Sequence, residues 1–158
     1  FNALWFQATW FCCVLGREPW LPVALLSLAL HFYLVSDRGL EFRRLLPVAL
    51  VGVGVDVTLT LAGVFDFDSA TIVPGWLIAL WWVFAAALYR SFAKIGQSTW
   101  LAAALGGIAV PFNYMVGVGL GAVTLPMGEM FSVSVLVAIW VFLLPLLYRI
   151  SHRMASAA

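Results

Sequence analysis

The chain has 158 residues, of which 65% are hydrophobic and 9% charged, with a mean hydropathy of +1.07. A soluble domain carries roughly 25% charged and about 45–50% apolar residues, so a fold with a water-facing surface is excluded. Eight Lys/Arg against seven Asp/Glu also exclude the basic face of a nucleic-acid binder, and so much apolar residue excludes a disordered chain.

The remaining class is an all-α, polytopic integral membrane protein. Polar positions divide the chain into six apolar stretches, 2–16, 20–36, 45–65, 72–90, 99–123 and 132–150, to be set against the roughly 20 residues that cross a hydrocarbon core. The expectation is a six-transmembrane-helix bundle forming a single domain over 1–158, with connections too short to fold separately. The first stretch has no basic region ahead of its apolar run, so it reads as a true span rather than a cleaved signal peptide. Basic residues set the orientation. Arg38, Arg43 and Arg44 follow span 2, Arg90 and Lys94 follow span 4, and Arg149 and Arg153 follow span 6, whereas Arg17 alone lies on the other side. Alternate connections and both termini are therefore expected in the cytoplasm. Glu18, Asp66, Asp68 and Glu129 mark the opposite face.

In chain order, span 1 offers Asn2, Gln7 and Trp10, together with Cys12 and Cys13. Adjacent cysteines have poor geometry for a mutual disulfide and lack metal-ligand spacing, so they read as packing residues. Span 2 carries His31 toward its cytoplasmic end, either packed or titrating against water. Span 3 holds Asp56 near its middle, in GVGVDVTLTLAG, on one helical face with Gly52 and Thr60. A carboxylate at that depth costs about 2.5–3.5 kcal/mol to insert, which makes it a functional candidate; the plainer reading is an Asp held neutral, or hydrogen-bonded to another helix as structural glue. Trp20, Trp76 and Trp100 fall at span ends, where interfacial belts form. Trp10, Trp81, Trp82 and Trp140 fall deeper, either as packing bulk or as the wall of an aromatic cavity.

Span 5 reads LGGIAVPFNYMVGVGLGA. Gly106, Ala109, Asn113, Gly117 and Gly121 recur at helical spacing, giving a narrow face for a close neighbour. Pro111 frees a carbonyl one turn earlier and is expected to kink the helix beside Asn113 and Tyr114. Spans 2–3 and 4–5 each run from a Trp-Leu pair through a basic turn to an Ala-Leu-x-Gly segment. This weak repetition favours a shared polar centre between spans 3 and 5. The candidate pocket set is Gln7, Trp10, His31, Asp56, Thr60, Trp81, Asn113 and Tyr114, with Gly52, Gly106, Gly117 and Gly121 as packing positions. No nucleophile elbow, zinc-helix motif or phosphate loop occurs in the sequence, so no cofactor or metal is expected. The acids of the DFDSA turn, Asp66 and Asp68, could hold a cation, but two exposed acids in a short connection read first as solvated.

The segments NALWFQATWFCCVLG, VGVDVTLTLAGVFDF, PGWLIALWWVFAAALYRS, GGIAVPFNYMVGVGLGA and IWVFLLPLLYR occur in this order and resemble, over essentially the whole chain, the bacterial inner-membrane family catalogued as domain of unknown function 2878. The resemblance implies a multi-pass location in the bacterial inner (cytoplasmic) membrane and an association with lipid-modifying genes, but no residue roles.

Three readings follow. The favoured one is a membrane protein that binds or moves a lipid or other apolar molecule in a polar-centred pocket between spans 1, 3 and 5. The alternative is an accessory subunit docking a larger membrane complex, with its glycines against a partner helix and no internal cavity. The third is an intramembrane lipid-modifying enzyme using Asp56 or His31 as acid or base, an enzymatic role being the weakest expectation. Expected partners are membrane lipids and either a membrane protein or a second copy of the chain, with no nucleic acid.

Overall fold

The computed structural model describes residues 3–156, with side chains through 153. Asn2 lies outside the described residues. Six α-helices follow one another: α1 (Ala3–Gly16), α2 (Leu21–Leu34), α3 (Arg38–Leu61), α4 (Gly75–Tyr89), α5 (Thr99–Gly119) and α6 (Glu129–Ser156), with short 3-10 turns at Glu18–Trp20 and Ile95–Gln97. No strand occurs among the described residues beyond a single antiparallel bridge between Asp66 and Thr124.

Local chemistry sets the helix ends. Asp37 caps α3 by accepting from the Leu40 N–H at 2.9 Å, and Ser98 caps α5 by accepting from the Leu101 N–H at 3.2 Å. The Asp37 cap starts α3 seven residues before the expected apolar stretch, through the polar turn that carries Glu41 and three arginines. Gly63, at φ +75°, ends α3 in the left-handed conformation that glycine adopts freely. α5 stays helical through Pro111 and stops at Gly119. Gly121 therefore sits in a turn at φ +71° rather than on the helical face expected of it.

Three helices, α3, α5 and α6, are long and apolar enough to cross a membrane. α1 and α2 have 14 residues and α4 has 15, which at 1.5 Å per residue is roughly 21–22 Å against a core of about 30 Å. The six expected helices are present in order, three of them long and three short.

α4 is the central element. It packs on α1, α2, α3 and α6, and Ala85, Ala86, Ala87 and Leu88 are buried on successive positions all round the helix. Small side chains there let neighbours close in from several directions. α5 instead packs chiefly on α6. A Cβ at Gly106 would lie 2.1 Å from the Trp140 carbonyl oxygen, so only glycine permits that backbone approach.

The connections gather at two ends. At one, Arg17 Nη2 donates to the Leu120 carbonyl, Glu18 accepts from the Gly75 N–H, and Asp66 pairs with Thr124. At the other, Glu41 meets His31 and Arg90, and the Tyr148 hydroxyl donates to the Phe92 carbonyl. The helices thus run up and down, with the acidic connections at one end and most basic ones at the other. Large apolar side chains stay exposed on long and short helices alike: Leu26 is 69% exposed, Leu50 62%, Ile108 73% and Phe142 76%. Water does not suit such a surface.

Candidate functional site

The site is built around Asp56. Its carboxylate lies in the last third of α3, five residues before the helix ends at Leu61, and is fully buried. Trp81 Nε1, from α4, donates to Oδ2 at 2.6 Å, and the Tyr114 hydroxyl, from α5, donates to Oδ1 at 2.8 Å. The sequence makes this possible one helical turn away. A Cβ at Gly52 would sit 2.1 Å from the Trp81 ring, so the bare glycine lets the indole lie flat on α3 and reach the acid four residues on. Trp81 then stacks on Trp140 of α6, with centroids 5.8 Å apart and planes 3° apart. Tyr114 stacks on Phe65 at 5.0 Å. One carboxylate therefore fixes two aromatic rings from two helices.

Those rings form part of the wall of a cavity of about 340 Å³, within the usual size of small-molecule sites, about 300–1,000 Å³. Trp10 of α1 and Trp140 of α6 line it too, while Gln7 of α1 and Asn113 of α5 line it and are exposed. Since α1 packs on α2 and α4 while α5 packs on α6, the cavity occupies the gap between α1 and α5 and reaches the surface at the two amides. Its α5 wall runs from Leu105 to Gly117, about 18 Å along the helix. So modest a volume drawn out over that length is a slot rather than a chamber. Trp140, a lining residue 2% exposed, has an indole N–H with no hydrogen-bond partner among the described residues. That is a costly state for a buried donor.

Of the residues singled out in the sequence, Gln7, Trp10, Trp81, Asn113 and Tyr114 share this wall. Asp56 stands behind it and holds it. Several placements differ from expectation. The slot lies between α1, α4, α5 and α6 rather than spans 1, 3 and 5, because Trp81 covers the α3 face. Thr60 turns its hydroxyl back to the Asp56 carbonyl at 2.9 Å, and Asn113 Nδ2 similarly donates to the Ala109 carbonyl at 2.8 Å. Gly117 lines the slot, with Val123 the nearest neighbour to an added Cβ at 3.7 Å, rather than seating a helix. Trp76, expected in an interfacial belt, is 4% exposed and lines the slot, whereas Trp20 and Trp100 are 50% and 87% exposed.

The family model for Protein of unknown function (DUF2878) matches residues 1–146. The chain belongs to that family. No curated protein and no solved structure matches it.

His31 belongs to a second cluster. Its Nε2 lies 2.9 Å from Glu41 Oε1, and Arg90 meets the same carboxylate through Nε at 3.2 Å and Nη2 at 3.0 Å. Glu41, 1% exposed, lies fifteen residues before Asp56 on α3, about 22 Å away along the helix axis. His31 and Asp56 therefore do not face a common substrate position. Sequence reasoning missed Glu41 and Arg90 by reading the basic turn for topology alone. The available signal was a histidine in the last turn of one helix and a glutamate in the first turn of the next.

Proposed function

We infer that the chain is a six-span protein of the bacterial inner membrane, with both termini cytoplasmic, that binds a lipid or other amphiphilic molecule in the slot between α1 and α5. The up-and-down helix order, with seven of the eight basic residues in or next to the helix ends and turns on one side, supports this orientation. Exposed apolar side chains on the short α1 and α2, among them Phe11, Leu15, Leu26 and Leu30, support placing them in lipid as well.

The observation that carries the binding role is the slot itself. It is walled largely by aromatic and aliphatic side chains and opens sideways at the depth of the Gln7 and Asn113 amides. Apolar walls with a few fixed polar groups are the general form of a small-molecule site. Asp56 is a positioning residue here: it orients Trp81 and Tyr114 and does not itself line the slot. A subunit that only docks a partner has no use for such a slot, and its glycines would face outward. Gly52 and Gly106 are instead covered within the chain.

Native mass spectrometry of the protein purified in mild detergent tests the reading. A retained lipid of defined mass is the expected result. A bare monomer, or a co-purifying protein with no lipid, removes the binding role.

A further inference from the structure

The slot does not end blindly. At the end where Arg17 meets Leu120, a second, open cavity of about 530 Å³ lies against it, and the two share Phe67, Trp76, Ala122 and Val123 as wall residues. Phe67 and Trp76 pack edge to face at 6.1 Å between centroids, so the boundary is two aromatic side chains rather than a backbone layer. The two cavities differ in chemistry. The inner one is lined mostly by aromatic and aliphatic residues, whereas the outer one displays Arg17, Asp66, Asp68, Ser69 and Thr71. Arg17 and Asp68 at its rim hold φ of 51° and 47°, a strained conformation for residues other than glycine, of the kind that persists where surrounding structure enforces it.

An apolar slot one chain wide joined to a polar vestibule matches an amphiphile: tail inside, head outside. The membrane frame agrees, since the vestibule lies at the interface opposite the basic end and the slot runs into the hydrocarbon. A lipid of that leaflet would slide its tail in sideways between α1 and α5 without lifting its head from the interface. The vestibule's charges narrow the head. Arg17, donating one N–H to the Leu120 carbonyl, and Glu18, accepting from the Gly75 N–H, both keep their charge, so the wall carries one guanidinium against the carboxylates of Glu18, Asp66 and Asp68. A purely anionic head would meet net negative charge, whereas a head with both a phosphate and an ammonium finds a partner for each.

We propose that the ligand is a single-chain amphiphile with an amine-bearing zwitterionic head, seated with the head between Arg17 and the Asp66–Asp68 turn and the tail past Phe67 and Trp76. This rests on the binding role inferred for the slot and adds the ligand's polarity and direction.

The test uses purified full-length protein and three probes with the same brominated acyl chain: a lysophosphatidylethanolamine, a lysophosphatidylglycerol and the corresponding fatty alcohol. Quenching of tryptophan fluorescence reports tail entry, since Trp10, Trp81 and Trp140 line the slot. The ethanolamine probe is expected to bind about tenfold more tightly than the glycerol probe, the scale of one charge-assisted hydrogen bond. The double variant Asp66→Asn, Asp68→Asn is expected to erase that preference and leave the fatty alcohol unchanged. An asparagine oxygen at 66 can still accept from the Asp68 N–H as Oδ1 does at 2.9 Å, so the turn is retained. If all three probes quench but bind equally, or the double variant keeps the preference, the head assignment is overturned while the slot stands. If no probe quenches, the binding role falls with it.

Discussion

Two buried carboxylates on α3 are held in opposite ways. Glu41, in the first turn, meets a histidine and an arginine; Asp56, in the last third of the helix, meets a tryptophan and a tyrosine, both neutral donors. The Glu41 cluster ties α2, α3 and α4 together near the basic end, where Arg90, its side chain 40% exposed, still reaches the surface. The Asp56 cluster ties α3, α4 and α5 together, and its two donors also form the wall of the slot. The first arrangement fastens helices, while the second fastens helices and shapes a site. Stability and ligand retention should therefore separate between them.

The largest effect on stability is expected from Glu41→Ala, which leaves His31 and Arg90 without their shared acceptor. Breaking a buried pair costs about 3–5 kcal/mol, and the exposure of Arg90 points to the lower end. Unfolding in a heat or SDS titration should show it, with lipid retention per folded molecule unchanged. Gly52→Ala comes next: the added methyl would strike the Trp81 ring, and overpacking of this kind costs about 1–3 kcal/mol. Because it pushes Trp81 from Asp56, retention should fall along with stability. The smallest stability change belongs to Asp56→Asn, about 1–2 kcal/mol for a charge-assisted hydrogen bond exchanged for a mismatched one. Here lipid retention should drop several-fold while most protein stays folded. If Glu41→Ala and Asp56→Asn lower stability and retention in the same proportion, the division between the clusters fails.

The sequence exposes the Asp56 region better than the Glu41 region for a physical reason. A carboxylate in the middle of an apolar run stands out on insertion cost alone, and Tyr114 beside Pro111 is visible as polarity retained at depth. Glu41 sits among arginines in a polar turn, where an acid is unremarkable until the fold buries it. The order of six helices is legible from apolar runs, but their lengths are not. Asp37 extends α3 through a charged segment, and Gly119 ends α5 four residues before the apolar run stops. Trp76 shows the same limit. Its position at a span end suits an interface, yet packing of the 62–74 connection against α4 buries it. Which residue covers a glycine is likewise a tertiary fact: Gly52 waits for Trp81 and Gly106 for the backbone of α6.

The most direct test is to fill the slot without touching either carboxylate. Ala109 lines the slot on α5 and is half-buried, so Ala109→Phe places a ring in the space assigned to the ligand's tail. Native mass spectrometry of this variant, beside a thermal unfolding curve, is predicted to show loss of the bound lipid with a midpoint no lower than that of the wild type. A variant that folds as well and still carries lipid in wild-type amounts would contradict the assignment of the slot as the binding site.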